Sequence, residues 1–482
     1  MFKKILLLFP KNKLDKIPPL YPPLGIGYLS ENLSSKNISH EVLDMRLGHT
    51  HSDLINTIKR FQPDLIGITM MTFSYTENYA LLNKLKSLFP KTKIVVGGAH
   101  VSAIREKILT ECPSIDYAVF QEGEETLLEL CTNDNTKEVK GIYHRDTATG
   151  ETAFTGHRPM MNDFNSIPYP KFEKFELEKY ITDKIAILTS RGCPYECTYC
   201  AVGTSIGGKF RPKTPHKVIE ELSFWTQRGY TKFDFIDDNF TLDAKRAKEI
   251  CSMIKDAHFG PLLLECSSGI RADRVDRELL SAMRKSGFYA ISIPVESGSN
   301  KVLKAIKKSQ DISKVDETIK NACELGFDIT LFFLIGSPTE TQADLDLSVQ
   351  LAQKYPVYDI CFHNLVPFPG TELYKWVEKN NYFLIPPEIY LNSASLTSDQ
   401  PYFQTPEFSK EERINALRDT KKIKISVQYK AYLRKYKIFG ILAPILAYFT
   451  SITSIQLFLA KIKPLRKLIK SFLQNEHRSS ET

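Results

Sequence analysis

The sequence predicts an α/β protein, and three observations support this fold class. Short apolar runs alternate with helical stretches up to about residue 403, the pattern of strand–helix units that build parallel sheets. The 482 residues are too many for one ordinary hydrophobic core. Beyond residue 403, charged helical segments replace the strand pattern. We therefore predict a doubly wound, Rossmann-like sheet at residues 1–145, a linker at 146–182, a second α/β domain at 183–403 and a helical tail at 404–482.

The N-terminal region has five apolar runs typical of buried strands, at residues 4–9, 41–44, 65–70, 93–96 and 117–120. Helices are predicted between them at residues 25–33, 52–61, 75–89 and 102–112. The apolar stretch at residues 5–9 is too short for the core of a signal peptide and ends at Pro10. We assign it to the first strand.

The second domain begins at Lys184 and contains six further strand-like runs, at residues 186–189, 233–236, 262–267, 290–295, 328–334 and 358–364. Six strand–helix units fit a partial (β/α) barrel that is open on one side. Polar groups follow the strand ends, where α/β folds bind ligands, at residues 237–239, 271–273, 296–298, 336–341 and 368–372.

The most informative motif is CxxxCxxC, formed by Cys193, Cys197 and Cys200 just after the strand at 186–189. Three thiolates on one short loop can bind three irons of a [4Fe–4S] cluster and leave the fourth iron open. A structural zinc site would need a fourth ligand, usually from a second CxxC pair, and the other six cysteines are scattered singly. This cysteine usage fits a reducing cytoplasm and not a disulfide framework.

This motif, with the aromatic Tyr199 before its last cysteine, resembles the signature of radical SAM enzymes. The resemblance implies that S-adenosylmethionine (SAM) chelates the open iron. One electron from a flavodoxin- or ferredoxin-like donor then cleaves it to methionine and a 5′-deoxyadenosyl radical. The strand-end groups are similar to the family's SAM-binding landmarks, so the expected contacts are Tyr199 and Gly336 at the adenine, Glu296 and Ser297 at polar groups, and Asp237 and Arg271 beside them. The alternative for these carboxylates is capping of the following helices.

The N-terminal sheet resembles the cobalamin-binding domain that precedes many radical SAM barrels, at residues 22–25, 97–100 and 122–124. The pair Gly97-Gly98 lets the backbone approach a large ligand, because glycine has no Cβ. The resemblance implies cobalamin contacts from Gly25, Thr69, Gly97, Gly98, His100 and Glu122. The family's DxHxxG motif is missing, so the cobalt is expected to lack a histidine ligand. The alternative is a degenerate flavodoxin-like domain that only covers the barrel.

The tail concentrates positive charge. Residues 421–475 contain twelve Lys or Arg and no Asp or Glu, and removing these twelve charges from the total of +8 leaves about −4 for the rest. The part of the chain outside residues 421–475 is therefore not expected to bind nucleic acid. Within the tail, residues 438–460 have no charge. This run could span a membrane, lie as a broken helical pair on an anionic membrane surface, or pack as a core helix on the barrel.

Residues 1 to about 400 are thus similar to class B, cobalamin-dependent radical SAM enzymes and to the anaerobic magnesium-protoporphyrin cyclases. The expected reaction is methylation of an unactivated carbon of a hydrophobic or lipid-linked substrate. One SAM would methylate the cobalamin, and a second would generate the radical that abstracts a substrate hydrogen. The substrate radical would then take the methyl group from methylcobalamin. Alternatives are oxidative ring formation on a tetrapyrrole or lipid without methyl transfer, and a non-catalytic cobalamin or redox sensor. The expected location is the cytoplasm, on the inner face of the cell membrane.

Overall fold

The computed structural model describes residues 1–13, 19–146, 149–393 and 398–452. The chain divides into two compact units. The first comprises Met1–Asn239 and Val366–Ala394, and the second comprises Phe240–Leu365 and Ser395–Thr482. The first unit thus contains the predicted N-terminal sheet, the linker and the cysteine motif. The domain boundaries taken from the sequence stay a prediction.

The first unit begins with a seven-stranded sheet of order β2-β1-β3-β4-β5-β6-β7. Its strands are β1 Lys4–Phe9, β2 Ser39–Asp44, β3 Leu65–Thr69, β4 Lys93–Gly97, β5 Tyr117–Val119, β6 Ile142–Arg145 and β7 Thr152–Phe154. Strands β1 to β5 are parallel, which confirms the predicted α/β sheet. Strands β6 and β7 extend it in antiparallel fashion and were not predicted. They are short and polar enough that the sequence shows no clear strand pattern there.

Helices cover both faces of this sheet. They are α1 Leu24–Ser35, α2 His51–Phe61, α3 Tyr75–Leu88, α4 Ala99–Ile104, α5 Lys107–Glu111 and α6 Glu124–Thr132. In β1, Leu6 and Leu8 belong to one hydrophobic core, and Ile5 and Leu7 belong to another, because successive side chains point to opposite faces. The single helix predicted at 102–112 is two helices, interrupted at Arg105, whose φ is +57°.

The same unit continues into the cysteine motif. Its strands here are β8 Ile185–Ile187, β9 Ser190–Arg191, β10 Arg211–Pro212 and β11 Lys232–Phe235, with helices α7 Val202–Ser205 and α8 Pro215–Thr226. Strands β8 and β11 pair in parallel, and β9 pairs with β10 as a short antiparallel ladder. The cysteines lie on the loop between β9 and α7.

The second unit contains parallel strands β12 to β15. Its strands are β12 Leu263–Cys266, β13 Phe288–Glu296, β14 Asp328–Ile335 and β15 Asp359–Asn364. Its helices are α9 Ala244–Asp256, α10 Arg277–Lys285, α11 Asn300–Ala305, α12 Ile312–Glu324, α13 Gln342–Lys354, α16 Lys410–Lys435 and α17 Ala443–Ser451. Helices α14 Glu372–Lys379 and α15 Pro387–Ser393 belong to the first unit. All six strands predicted for the second α/β domain are present within two residues.

The described part of the tail forms two helices that pack together. Helix α16 begins at a capping box of Ser409 and Glu412. The chain then turns through Gly440, whose φ is +54°, and α17 folds back so that Ala443 and Ala447 pack with Tyr436. Within the described ranges, which end at residue 452, no helix has the length and apolarity to cross a membrane. Residues 453–460 of the predicted uncharged run lie outside the described residues.

Candidate active site

The three cysteines share one irregular loop and are each partly exposed. The Cys200 N–H donates to the Cys197 carbonyl at 3.0 Å. Burial raises the pKa of Cys200 to about 11, and the nearby Cys197 and Cys193 groups act in the same direction. Within the described part of the chain, no three His, Cys, Asp or Glu side chains are already assembled as a metal site. The donors fit an iron–sulfur cluster by type and spacing, and their role as its ligands stays a prediction.

Two adjacent carboxylates hold the chain that leads into this loop. Asp237 is 1% exposed and accepts from the Thr189 N–H at 2.5 Å and from the Ser190 hydroxyl at 2.8 Å. Asp238 accepts from the Gly192 N–H at 2.9 Å. Burial raises the pKa of Asp238, as does the charge of Asp237. Asp237, predicted beside SAM, therefore also anchors the segment before the first cysteine.

A large cavity opens at the strand ends of the seven-stranded sheet. Its volume is about 390 Å³, within the usual range of ligand sites. Its lining includes residues from both sides of the cysteine loop, namely Leu188, Arg191, Ser205 and Ile206. Of the residues predicted to bind cobalamin, five line this cavity: Gly25, Thr69, Gly97, Gly98 and Glu122. None of its described lining residues is a histidine.

Two glycines of the cavity wall differ in their surroundings. Gly98 has φ of +108°, and a Cβ there would lie 2.8 Å from the Met70 carbonyl oxygen, so this turn requires glycine. A Cβ on Gly25 would meet nothing within 4 Å, so the cavity reaches the backbone of α1 at this point. An apolar, backbone-lined space of this kind fits a large flat cofactor.

His100 does not line the cavity. It is 2% exposed, its Nε2 lies 3.0 Å from the Tyr79 hydroxyl, and its ring stacks on Tyr75 with centroids 4.7 Å apart. Burial lowers its pKa to about 4. In this structure His100 is a core residue, and a contact with cobalamin stays a prediction.

In the second unit, the predicted residues Arg271 and Glu296 are linked through Lys308. The Lys308 ammonium lies 2.8 Å from the Glu296 carboxylate, and both side chains are at most 8% exposed. The Arg271 guanidinium donates to the Lys308 carbonyl at 2.6 Å. Glu296 has φ of +67° beside a register shift between β13 and β14. Strained backbone of this kind is frequent at functional sites.

The loop after β14 is held from inside by a buried carboxylate. Glu340 accepts from the backbone N–H groups of Gly336 at 2.6 Å and Ser337 at 3.0 Å. Burial raises the pKa of Glu340 to about 7. Gly336 has φ of +100°, and a Cβ there would collide with the Arg413 guanidinium of α16. Ser297 is fully buried and accepts from the Ser299 N–H at 3.2 Å, while Tyr199 is partly exposed on the cysteine loop.

Comparison with known families identifies two domains in the chain. Residues 187–352 match the model of the radical SAM superfamily, and residues 13–131 match that of the B12-binding domain. The chain is a radical SAM protein with a B12-binding domain. It is an enzyme whose cofactors are a [4Fe–4S] cluster, SAM and cobalamin.

The relatives of this radical SAM protein include methyltransferases and cyclases. An uncharacterized methyltransferase of Pyrococcus horikoshii is 29% identical, covering 82% of this chain and 86% of that one. The cytidylyl-2-hydroxyethylphosphonate methyltransferase of Streptomyces wedmorensis is 28% identical, covering 77% and 81%. The anaerobic magnesium-protoporphyrin IX monomethyl ester cyclase of Cereibacter sphaeroides is 24% identical, covering 74% and 60%.

A solved structure shows the same fold. The cobalamin-dependent SAM radical enzyme OxsB, with aqua-cobalamin and SAM bound, superimposes with a TM-score of 0.75. That match covers 98% of this chain and 75% of OxsB at 18% identity.

Sequence reasoning missed three charged residues of this radical SAM protein: Arg191, Lys308 and Arg413. Arg191 stands two positions before Cys193, and its place in the motif was the available signal. Lys308 and Arg413 are 6% and 2% exposed, but neither their burial nor their partners can be inferred from a sequence pattern. Their importance follows only from the folded chain.

Proposed function

We propose that the chain transfers a methyl group to an unactivated carbon of a hydrophobic or lipid-linked substrate. One arrangement carries the proposal: the residues directly before and after the cysteine loop line the same cavity as Gly97 and Gly98. A cluster on the loop and cobalamin in the cavity would therefore belong to one compact unit. Among the relatives, the Pyrococcus and Streptomyces proteins named above are methyltransferases, which favours methyl transfer over cyclisation.

The bound cofactors would supply one-electron cleavage of SAM and a carrier for the methyl group. The chain itself contributes position and exclusion of water. Asp237 and Asp238 fix the segment before Cys193 through the Thr189 and Gly192 N–H groups. The side chains lining the cavity, such as Leu7, Ile68 and Val96, are mostly apolar and would keep water from a reactive intermediate.

The cluster assignment is tested with anaerobically reconstituted protein that is reduced and mixed with SAM. We expect 5′-deoxyadenosine from the wild type and none from Cys197→Ala, because two thiolates do not retain the cluster. Cys323→Ala is the matched control, since Cys323 lies on α12 and outside the motif. Full SAM cleavage by Cys197→Ala would sink the assignment.

Methyl transfer is tested with SAM labelled in its methyl group. Mass spectrometry of lipid and pigment extracts, with and without the enzyme, should find a product that has gained the label. The alternative is oxidative ring formation, for which the Cereibacter cyclase is the precedent. That reaction would change the product's hydrogen count without adding label, so the two outcomes are distinct.

We further propose that the tail holds the enzyme on an anionic membrane surface, close to a lipid-like substrate. Helix α17 and the turn before it expose large apolar side chains on the face not packed on α16. They include Ile441, 91% exposed, and Ile438, Ile445, Tyr448 and Phe449, each more than half exposed. The surrounding sequence, residues 421–475, contains twelve Lys or Arg. In the described part of the tail, four of them pair with carboxylates, namely Lys421, Lys422, Lys424 and Lys435. Each of the others would contribute on the order of 1 kcal/mol near an anionic surface.

Vesicle sedimentation tests this surface. We expect the protein to sediment with anionic vesicles and to be partly released at roughly 0.5 M salt, where screening is strong. Ile441→Asp with Ile445→Asp should abolish sedimentation while SAM cleavage persists, because both side chains are exposed. Wild-type protein that stays in the supernatant contradicts the proposal.

A truncation gives the second test of the tail, and the structure determines where it must be made. A cut near Thr420, where the basic segment begins, would fall inside α16, which continues to Lys435 and buries Val427 and Ala431. A cut there would remove packed residues of the second unit. Truncation after Tyr436 keeps α16 and removes the exposed apolar residues.

A further inference from the structure

Four buried charges join the cavity wall to the cysteine loop. Arg191 donates from Nη1 to Glu122 Oε1 at 3.0 Å and from Nη2 to Glu124 Oε1 at 2.5 Å. Arg211 Nη1 donates to Glu122 Oε2 at 2.5 Å. None of the four side chains is more than 12% exposed. Such a cluster is costly to break, because each charge depends on its partners for solvation.

Arg191 belongs to both sites at once. It lines the cavity together with Glu122 and Glu124, and it stands two residues before Cys193. Its guanidinium lies over the rings of Tyr28 and Phe164, at 4.9 and 4.7 Å from their centroids. The aromatic rings and the two carboxylates therefore leave the guanidinium little freedom to move.

We infer that Arg191 is a positioning residue that couples cobalamin binding to loading of the cluster. The inference rests on the proposed function, since it assumes that the cavity binds cobalamin and the cysteines bind the cluster. A loaded cluster would bring thiolate charge close to Arg191, and cobalamin in the cavity would contact Glu122 and Glu124, which line it. Because the same guanidinium is hydrogen-bonded to both carboxylates, a shift in its position that favours one cofactor is transmitted to the other. By linkage, each cofactor tightens binding of the other by the same factor.

The test compares the dissociation constant of hydroxocobalamin for chains with and without the reconstituted cluster, measured anaerobically by equilibrium dialysis. For the wild type we expect at least about fivefold tighter binding when the cluster is loaded, the lower end of typical coupling. Arg191→Met with Glu124→Gln removes one charge of each sign and keeps the Glu122–Arg211 pair. In that variant the difference should fall below about twofold.

Arg191→Lys serves if the double variant does not fold. Lysine keeps the charge but has a single ammonium, which cannot place two fixed donors on Glu122 and Glu124. Its coupling should lie below that of the wild type. The matched control is Arg46→Met with Asp44→Asn, which removes another ion pair of the first unit, 2.6 Å long, that does not line the cavity. The control should keep the full difference.

The outcomes separate the coupling from the function. Wild type that binds cobalamin equally well with and without the cluster overturns the coupling alone. The coupling is also overturned if both Arg191 variants keep the full wild-type difference in dissociation constant, or if the Arg46 control loses that difference. Wild type that binds no cobalamin in either state overturns the proposed function and the coupling with it.

Discussion

Glycine and carboxylate residues at the strand ends have different roles in the two units. In the first unit, the strands end at a cavity of about 390 Å³ whose wall includes Gly25, Gly97 and Gly98, and a Cβ on Gly25 would meet nothing within 4 Å. In the second unit, the space beside Gly336 is filled by the Arg413 guanidinium, and the strand ends hold the buried ion pair of Glu296 and Lys308. A glycine at a strand end can thus admit a ligand or a side chain of the same chain.

This difference separates two ways of preparing a site. Apart from Arg191, Glu122 and Glu124 beside the cysteine loop, the first is lined mostly by backbone and apolar side chains, so most of its wall depends on shape. The second depends on charges that solvate one another, and one of its members, Glu296, has the strained φ of +67°. Substitutions should therefore affect the second site through electrostatics and the glycine-lined wall of the first through space.

The largest effect is expected at the buried ion pair of the second unit. Lys308→Met should lower the free energy of unfolding by about 3–5 kcal/mol, because the buried Glu296 carboxylate loses its neighbouring cation. Adding Glu296→Gln should recover part of the loss. Urea unfolding measures both. Lys422→Met, which removes an exposed pair with Asp419, is the control and should cost less than about 1 kcal/mol. Equal losses at the two pairs would contradict this electrostatic account of the second site.

The two units should also respond oppositely to pH. Burial holds the pKa of His100, in the first unit, at about 4 against 6.5. As pH falls, the unfolded chain therefore takes up the proton before the folded chain does. The contribution of neutral His100 to the free energy of unfolding is lost as pH falls from 6.5 to about 4. Burial raises the pKa of Glu340, in the second unit, from 4.5 to about 7. As pH rises, the folded chain keeps this proton to a higher pH than the unfolded chain does. The contribution of protonated Glu340 to the free energy of unfolding is therefore lost as pH rises from 4.5 to about 7.

The magnitude in each case is up to about 3 kcal/mol, since one pKa unit corresponds to about 1.4 kcal/mol. Urea unfolding of His100→Gln and Glu340→Gln across pH 4–8 measures the two contributions separately. Relative to the wild type, the first variant should gain stability at acid pH and the second at neutral pH. Parallel curves for wild type and variant would show that the group does not titrate in this window.

The sequence predicted the strands of both units, but it predicted the site residues of the first unit better than the partners of those in the second. The eleven predicted strands are present, because runs such as residues 4–9 and 328–334 are long and apolar. Five of six predicted cobalamin residues line one cavity, because the carboxyl ends of parallel strands meet at one edge of the sheet, where α/β folds bind ligands. The partners of Glu296 and Gly336 were not predicted. Lys308 and Arg413 reach them from other elements, and such contacts depend on tertiary packing, which periodicity does not encode.

Alanine at the two glycines with positive φ, Gly98 and Gly336, should lower the free energy of unfolding by less than loss of the ion pair does. The two substitutions should nevertheless distinguish the cobalamin site from the SAM site. Gly98→Ala and Gly336→Ala each force a side chain onto positive φ and into a neighbour, at about 1–3 kcal/mol. Gly98→Ala should weaken cobalamin binding and leave SAM binding unchanged. Gly336→Ala should do the reverse. Equilibrium dialysis with each ligand measures this, and a variant that loses both ligands equally would show global unfolding and not a local effect.

The smallest stability change, and the sharpest test of shape, is expected at Gly25. Alanine there has open space and a helical backbone, so Gly25→Ala should stabilise the fold by about 0.5–1 kcal/mol. The added methyl group points into space at the cavity wall, so cobalamin affinity should fall although the protein is more stable. Gly203→Ala is the matched control, because Gly203 is also helical and open but does not line the cavity. A stability gain in both variants with loss of affinity only at Gly25 would separate ligand space from fold stability. Unchanged affinity at Gly25 would mean that cobalamin does not approach α1 within this cavity.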